Sequence, residues 1–291
     1  MKYWFIDSER SNFEVEEMCQ ALDVTRSGYY AWKRTVPRKR ARDNAQLLIE
    51  INEIHTRCNK IYGSPRITEC LHDKHIRCSK NRVARLMNAH GIRAKTAKKW
   101  KVTTNSRHTR PVSDNLVNQE FIVTVPDAVY VSDITYIWTD EGWLYLSIVM
   151  DLYSRKIIGW AMDERIKDQI VLDALNMAWA RRRPGAGVVM HSDRGSQYAS
   201  DDVQAWLALR AMIGSMSGAG NCYDNACAES FFHTLKTELV YFERYRTREE
   251  ARTSIFNYIE IFYNRFRKHS TLGYKSPEQF EQMDDQKKIP A

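Results

Sequence analysis

The sequence predicts an α/β fold, in which a mixed five-stranded sheet with flanking helices follows a small region that is entirely helical. Three observations predict it. Residues 13–91 have helical periodicity and helix-capping residues, whereas β-branched, alternating segments begin only at residue 128. Three strands then follow one another directly. Two further strands alternate with helices, which is typical of α/β proteins.

The composition favours a soluble intracellular protein with more than one domain. The chain has 291 residues, 43% of them hydrophobic, which is enough for a substantial core. The longest apolar run, WLYLSIVM, is the length of a strand and not of a membrane span. The first residues, MKYWFIDSER, lack the features of a signal peptide. Six cysteines are too few for a disulfide scaffold of this size.

The basic charge is concentrated in one part of the chain. Residues 38–110 contain 19 Lys and Arg against 5 Asp and Glu, whereas the rest of the chain is slightly acidic. Such a region suits a phosphate backbone, because each neutralised phosphate releases counterions. A solvated basic face is the alternative. Within this region, the residues expected to contact a phosphate backbone are Arg38, Lys39, Arg40 and Arg42.

The N-terminal region, residues 1–93, is predicted to consist of short helices. FEVEEMCQALDV has helical spacing, and Thr25 caps a second helix in RSGYYAWKR. A helix over 43–58 has one apolar stripe, and Ser64 and Pro65 open another in PRITECLHDK. Ser79 caps KNRVARLMNAH. Two short helices joined by a tight turn, the second one basic, form a helix-turn-helix pattern typical of DNA-binding regions, although helical hairpins without DNA are also common.

CLHDKHIRC within this region contains four potential zinc ligands, Cys70, His72, His75 and Cys78. Their spacing differs from that of known zinc fingers, and one short segment cannot easily aim all four inward. Solvated histidines and half-buried cysteines are the favoured interpretation. Residues 94–115 have no periodicity and are basic and polar, so we expect a linker there.

The remaining region, residues 116–285, is predicted to form the sheet. AVYVSDITYIW, GWLYLSIVMDLYS and RKIIGWAM indicate an antiparallel meander. A helix over 168–183, a buried strand GVVMHSD, a helix capped by Ser200 and a short strand AMIGSMS follow. A helix in ACAESFFHTLKTE comes next, and Thr247 with Glu250 forms a capping box for the last long helix. The order β-β-β-α-β-α-β-α is that of a ribonuclease H-like fold.

Three acids on these elements are candidate catalytic residues. Asp133 lies in the middle of a strand, where an acid costs folding energy unless it is paired or functional. Asp193 ends the fourth strand, and Glu229 begins the helix after the fifth. If the first and fourth strands are neighbours, the three acids converge. Crowded carboxylates with open coordination positions suit Mg²⁺ or Mn²⁺, and two such ions support phosphoryl transfer.

Other residues compete with this assignment or add to it. Asp151 ends the second strand, Asp224 resembles a helix N-cap, and Asp201 and Asp202 lie in a helix first turn, where the helix dipole favours acids without any function. On the glutamate helix, Lys236 lies two turns from Glu229 on the same face, where a cation would meet a phosphate. An ordinary surface side chain is the alternative interpretation of Lys236, and it is the favoured interpretation of His233. For each of these residues, an ordinary structural or surface role is the alternative to a functional one.

The same pattern of acids occurs in a known family of recombinases. The interval between Asp193 and Glu229 encloses 35 residues. With Asp133 upstream, it resembles the D,D(35)E signature of transposases and retroviral-type integrases. HSDRGSQYAS, SMSGAGNCYDNACAESFFHTLKTE and DVTRSGYYAWKR are similar to segments of the OrfB protein of the IS-three family of bacterial insertion sequences. The resemblance covers nearly the whole chain, with Cys227 where that family has proline.

The resemblance implies a metal-dependent DNA transposase. Asp133, Asp193 and Glu229 match the family's metal-binding triad, which holds Mg²⁺ and cuts and joins DNA strands at the ends of the element. It also implies double-stranded DNA as partner, a homo-oligomer on DNA, an upstream OrfA protein or fusion, and a place in the bacterial cytoplasm with the nucleoid. Two alternatives stay open, a DNA-binding regulator without catalysis and a ribonuclease H-like nuclease that cleaves without joining.

Overall fold

The computed structural model describes residues 1–34, 39–95, 113–117, 122–218 and 222–288. The predicted linker over 94–115 falls mostly outside these residues. Within the described ranges, six helices come before the sheet, namely α1 (Lys2–Glu9), α2 (Val15–Ala21), α3 (Arg26–Arg34), α4 (Lys39–Arg57), α5 (Ser64–Asp73) and α6 (Lys80–Ala89). The first of them was not expected from the sequence. Ser79 caps α6 by accepting a hydrogen bond from the Arg82 N–H group, as predicted.

The sheet has five strands in the order β3-β2-β1-β4-β5. The pairs β1/β2 and β2/β3 are antiparallel, whereas β1/β4 and β4/β5 are parallel. The strands are β1 (Val129–Thr139), β2 (Gly142–Asp151), β3 (Ile157–Asp163), β4 (Val189–Ser192) and β5 (Ile213–Met216). The mixed five-stranded sheet predicted from the sequence is therefore confirmed, including the antiparallel meander and the adjacency of the first and fourth strands.

Helices cover both faces of the sheet. They are α7 (Asp168–Arg182), α8 (Asp201–Leu209), α9 (Ala226–Glu238), α10 (Arg248–Phe256) and α11 (Pro277–Lys288). The long helix expected after Thr247 is α-helical only to Phe256 and continues as a π-helix over Asn257–Tyr263. Thr247 caps α10 as predicted, but the Glu250 carboxylate accepts from the Arg246 N–H group and not from that of Thr247.

Helix α7 approaches the sheet very closely at one residue. A Cβ atom built on Gly159 of β3 would lie 2.1 Å from the Ala174 carbonyl oxygen and 2.8 Å from the Ala178 nitrogen of α7. No side chain fits there, so glycine is needed at this position for the helix to pack on the sheet. This face of the sheet and helices α7 and α8 enclose one of the hydrophobic cores.

The other face of the sheet shares its core with the N-terminal helices. Buried residues of α4, α5 and α6 belong to the same cluster as those of β1, β2, α9 and α10. Tyr62, between α4 and α5, is fully buried; its hydroxyl donates to the Phe266 carbonyl and accepts from the Lys268 N–H group. Helices α1 to α3 instead have a small cluster of their own around Ile6 and Tyr29.

A buried carboxylate ties α9 to helix α5 and to the C-terminal segment. Glu238, the last residue of α9, accepts two hydrogen bonds from Arg267, of 2.7 and 2.8 Å. It also accepts one from the Tyr258 hydroxyl at 2.8 Å and one from Arg66 of α5 at 3.3 Å. Although burial alone would raise the pKa of Glu238, the hydrogen bonds and charge of Arg267 outweigh it and lower that pKa.

Among the described residues, no helix is both long and apolar enough to cross a membrane.

Replacing Glu238 should destabilise the fold strongly. Glu238→Ala leaves the Arg267 guanidinium buried without its partner, so we expect the free energy of unfolding to fall by about 3–5 kcal/mol. Because the pKa of Glu238 is lowered in the folded state, its contribution is present at neutral pH and is lost as the pH falls through that folded pKa. Denaturant unfolding at several pH values measures both effects, and the difference from wild type should narrow in acid.

Glu278→Ala is the matched control for this measurement. Glu278 pairs with Arg265 at 3.6 Å, but the Arg265 side chain is 60% exposed, so this pair should contribute at most about 1 kcal/mol. Equal losses of stability in the two variants would contradict the role given to Glu238.

Candidate active site

Two of the predicted acids lie side by side because of the register of two parallel strands. Ser132 of β1 pairs with Ser192 of β4, and this is the last pair of that ladder. Asp133 and Asp193 directly follow these two serines, one on each strand. Neighbouring strands lie about 4.8 Å apart, so the backbones carrying the two acids are close. The structure thus brings Asp133 and Asp193 together as the sequence predicted.

Asp133 is half-buried in the middle of β1. Its carboxylate accepts a hydrogen bond of 2.7 Å from the Ile134 N–H group. Burial raises the pKa of Asp133, and the charges of Asp193 and then Glu229 raise it further. The Ile134 N–H group and the Lys236 ammonium act in the opposite direction. The acid is therefore destabilised in its charged form, as expected for a carboxylate that needs a cation.

Asp193 is held by the turn that follows β4. Its Oδ1 atom accepts a hydrogen bond of 2.9 Å from the Gly195 N–H group. A Cβ atom on Gly195 would lie 2.9 Å from the same oxygen, so a larger residue at this position would displace the carboxylate. The next residue, Arg194, donates to the Ser217 carbonyl beyond β5 at 2.6 Å and ties the turn to the neighbouring strand.

Glu229 lies in the first turn of α9 and is exposed. The helix is attached to the sheet beside Asp133, because the Asn225 carboxamide donates to the Ser132 carbonyl at 3.1 Å. Phe231 and Phe232 are buried as expected, and the Phe231 ring meets Tyr263 edge-on at 4.8 Å between centroids. Partial burial raises the pKa of Glu229, and the charge of Asp193 raises it further.

The three carboxylates therefore interact in all three pairs, and the donor set suits a hard divalent cation. No group of three His, Cys, Asp or Glu side chains within the described ranges is close enough to bind one ion at once. Asp133 and Asp193 are fixed by backbone hydrogen bonds, whereas Glu229 has three side-chain torsions and is exposed. Glu229 is therefore the most adjustable of the three acids.

Lys236, predicted on the same helix face as Glu229, is nearly buried, with 9% of its surface exposed. Its ammonium lies 4.8 Å from the centroid of the Tyr136 ring. Burial lowers the pKa of Lys236, and attraction to Asp133 opposes that change. This side chain is not an ordinary surface lysine, since its charge is directed toward the acids. His233 is exposed, in agreement with the surface interpretation.

Several residues around the acids were not singled out from the sequence. The Tyr198 hydroxyl lies 2.8 Å from the Ser132 hydroxyl, and burial together with the charges of Asp133 and Asp193 raises its pKa. His191, two residues before Asp193, lies between the hydroxyls of Ser215 and Ser217, and burial lowers its pKa. For His191 the sequence signal was a polar residue at a strand position expected to be buried; Tyr198, in the turn after β4, had no such signal.

The competing acids have structural partners. Asp151 is fully buried 3.6 Å from the Arg182 guanidinium, its carboxylate accepts from the Tyr153 N–H group, and burial raises its pKa to about 7. Asp224 accepts from the Gly218 N–H group at 2.7 Å and from Asn115 at 2.9 Å, so it anchors the loop before α9. Asp201 and Asp202 are exposed in the first turn of α8.

Lys39, Arg40 and Arg42 are exposed in the first turn of α4, and Arg38 lies outside the described residues. Three cations at the positive end of a helix are unfavourable on their own and attract anions strongly.

The four potential zinc ligands do not converge. Cys70 is buried and hydrogen-bonded to Cys58, whereas His72 and His75 are exposed.

Comparisons with known proteins agree with this arrangement. Models of the integrase core domain match residues 124–222 and 229–284, and a model of an HTH-like domain matches residues 41–100. The first two matches contain all three acids. The third contains α5 and α6, the helices predicted to form the helix-turn-helix.

Two curated relatives match nearly the whole chain. The chain is 45% identical to the transposase InsF for insertion sequence IS3A of Escherichia coli over 284 residues, which cover 97% of this chain and 98% of the relative. It is 44% identical to an uncharacterized 31 kDa protein of insertion element IS600 from Shigella sonnei, over 91% of this chain and 97% of that protein.

Solved structures with a related arrangement come from retroviral proteins. A simian T-cell lymphotropic virus intasome is 16% identical with a TM-score of 0.47, and the match covers 79% of this chain and 73% of that chain. The catalytic core domain of BIV integrase is 15% identical with a TM-score of 0.41, over 56% of this chain and 99% of that chain. The sequence relatives, and not these distant structures, establish the family. The chain belongs to the IS3 family of insertion-sequence transposases.

Proposed function

We propose that this transposase cleaves DNA strands at the ends of its insertion sequence and joins them to target DNA at a site formed by Asp133, Asp193 and Glu229. The observation that carries the proposal is the β1/β4 register, which sets Asp133 beside Asp193, within electrostatic reach of Glu229. Acids so placed repel one another and are stable as carboxylates only with a cation between them.

The three acids would hold Mg²⁺ or Mn²⁺, two ions being the number that phosphoryl transfer uses in such sites. When bound, these ions supply an activated oxygen nucleophile and stabilise the leaving oxygen. The residues of the chain position them: the Ile134 and Gly195 N–H groups fix the carboxylates of Asp133 and Asp193, and Asn225 fixes the start of α9.

Lys236 would bind the phosphate that is being transferred. Its ammonium is attracted by Asp133 and lies within the same group of charges, and its nearly buried stem restricts where it can point. A cation held in that way contributes more than a solvated one, because water screens it less. Lys236 acts on charge only and does not need to exchange a proton.

Double-stranded DNA is the proposed partner, with the exposed cations at the start of α4 on its backbone and the helix-turn-helix formed by α5 and α6 beside them. The finer expectations rest on the family alone: a homo-oligomer on DNA, assistance from an upstream OrfA protein or fusion, and a place in the bacterial cytoplasm with the nucleoid. The division into residues 1–93, 94–115 and 116–285 is likewise part of the proposal.

Asp133→Asn should abolish cleavage while leaving DNA binding intact. Loss of partners around a metal ligand typically costs 10- to 100-fold, so loss of the ligand itself should cost at least about 100-fold. Labelled element ends and a target plasmid, incubated with and without Mg²⁺, measure cleavage and joining together. Asp201→Asn, which removes an exposed acid from α8, should behave as wild type.

Two results of this assay would contradict the proposal. Full strand transfer by Asp133→Asn would refute the assignment of Asp133 as a catalytic residue. Products that are nicked but never joined would identify a nuclease of the same fold.

Neutralising Lys39, Arg40 and Arg42 to glutamine should weaken DNA binding and flatten its salt dependence. Removing one cation from a phosphate reduces the slope of log K against log salt by about 0.9, so a reduction of about 1 to 3 is expected. Affinity titrations at several salt concentrations measure it. A variant that neutralises Arg165 and Lys167, exposed before α7, is the control and should keep the wild-type slope. An unchanged slope in the first variant would show that the stretch does not bind phosphates.

A further inference from the structure

A cleft lined by exposed aromatic side chains lies next to the acids. It has a volume of about 320 Å³, and its walls include Tyr136 and Trp138 of β1, Trp143 of β2, and Tyr241 after α9. Lys236 also lines it. This volume lies within the range of about 300–1,000 Å³ that is typical of ligand sites. None of the functions proposed so far uses these aromatic residues.

The cleft exists because β1 is longer than its neighbour on one side. β1 pairs with β2 up to Thr139, but its pairing with β4 stops at Ser132. Beyond Asp133, this side of β1 faces the end of α9 and the segment that follows it. Tyr136 is three residues beyond Asp133, about 10 Å along an extended strand. The side chains of Asp133 and Tyr136 leave opposite faces of β1, so Lys236, which lines the cleft and interacts with Asp133, links the cleft to the acids.

The aromatic side chains are arranged with their faces accessible. Trp138 is 57% exposed and Trp143 is 43% exposed. Trp143 meets Trp138 edge-on at 4.8 Å and Tyr136 edge-on at 5.0 Å. Cross-strand pairing explains why these rings are adjacent. It does not explain why they stand exposed around a cavity that also contains a lysine.

The cleft is not purely apolar, because a nearly buried cation belongs to its walls. The Lys236 ammonium lies 4.8 Å from the centroid of the Tyr136 ring and is attracted by Asp133. The other charged residues of the lining balance this cation and one another: Arg244 pairs with Asp140 at 3.2 Å, and Glu243 adds a second acid. Aromatic faces combined with a cation are the usual means of binding unpaired bases, because every base has a face that can stack.

We propose that this cleft binds a nucleobase that is unstacked from the duplex next to the phosphate held at the acids. The base stacks against Trp138, while its phosphate lies near Lys236. Opening the duplex there costs a few kcal/mol, and stacking on the aromatic rings offsets that cost. The inference rests on the proposed function, since it needs DNA at the acids, and it adds a specific contact to one nucleotide.

A double-mutant cycle, in which the protein and the DNA are changed singly and together, tests the inference. Affinity for duplexes of the element's terminal sequence is measured in Ca²⁺, so that binding is read without cleavage. Each nucleotide flanking the cleavage point is replaced in turn by an abasic residue, and each duplex is tested with wild type and with Trp138→Ala. Trp138→Ala should weaken binding to the intact duplex about tenfold, whereas at one abasic position it should have no effect, because that duplex has no base to stack.

Two further variants control for folding and for general loss of aromatic surface. Trp138→Phe keeps a stacking face and should restore most of the affinity. Phe256→Ala removes an aromatic ring of α10 that is 44% exposed, about as much as Trp143, and should leave the affinity unchanged at every duplex.

Three outcomes would overturn the inference. The losses from Trp138→Ala and from abasic positions could be additive everywhere, or Trp138→Ala could weaken binding no more than Phe256→Ala. Trp138→Ala could also change the oligomeric state of the protein with no dependence on any base, which would identify the cleft as a subunit interface. If wild type joins strands and the cycle shows no coupling, only this inference fails. If coupling is seen without cleavage, the proposed function fails instead.

Discussion

Carboxylates that repel one another stay close together only when the fold holds the backbone that carries them in place. In this transposase the parallel pairing of β1 with β4 provides that backbone, because its last hydrogen-bonded residues are the ones just before Asp133 and Asp193. Each carboxylate then accepts a hydrogen bond from a main-chain N–H group nearby. Folding thus creates a concentration of negative charge that only a cation neutralises.

The third acid depends on how α9 is attached. Asn225 holds the start of the helix to the sheet beside Ser132, and Glu238 holds its end through the bidentate pair with Arg267. Both attachments are buried, so the helix axis is fixed at two points. The side chain of Glu229 is left as the adjustable part of the site. The helix is thus fixed while the side chain of Glu229 keeps its freedom.

Much of this could be predicted from the sequence, because strand alternation, capping residues and acids at strand ends are local signals. The five strands were predicted that way, and so was the placement of Asp133 and Asp193 on neighbouring strands. What could not be predicted depends on contacts between distant segments. The sequence does not indicate that Tyr62 is buried against the C-terminal segment, or that the helix after Phe256 widens into a π-helix. Residues at such contacts look like ordinary polar or aromatic residues.

Helices α4 to α6 share a hydrophobic core with α9, and this affects which phosphodiester bond at the end of the element would be cleaved. The helices that would grip DNA and the helix that carries Glu229 form one packed body, joined directly by the contact of Arg66 with Glu238. The distance between the bound base pairs and the cleaved phosphodiester would then be set by side-chain packing. Shifting the terminal repeat by a few base pairs would place the wrong bond over the carboxylates.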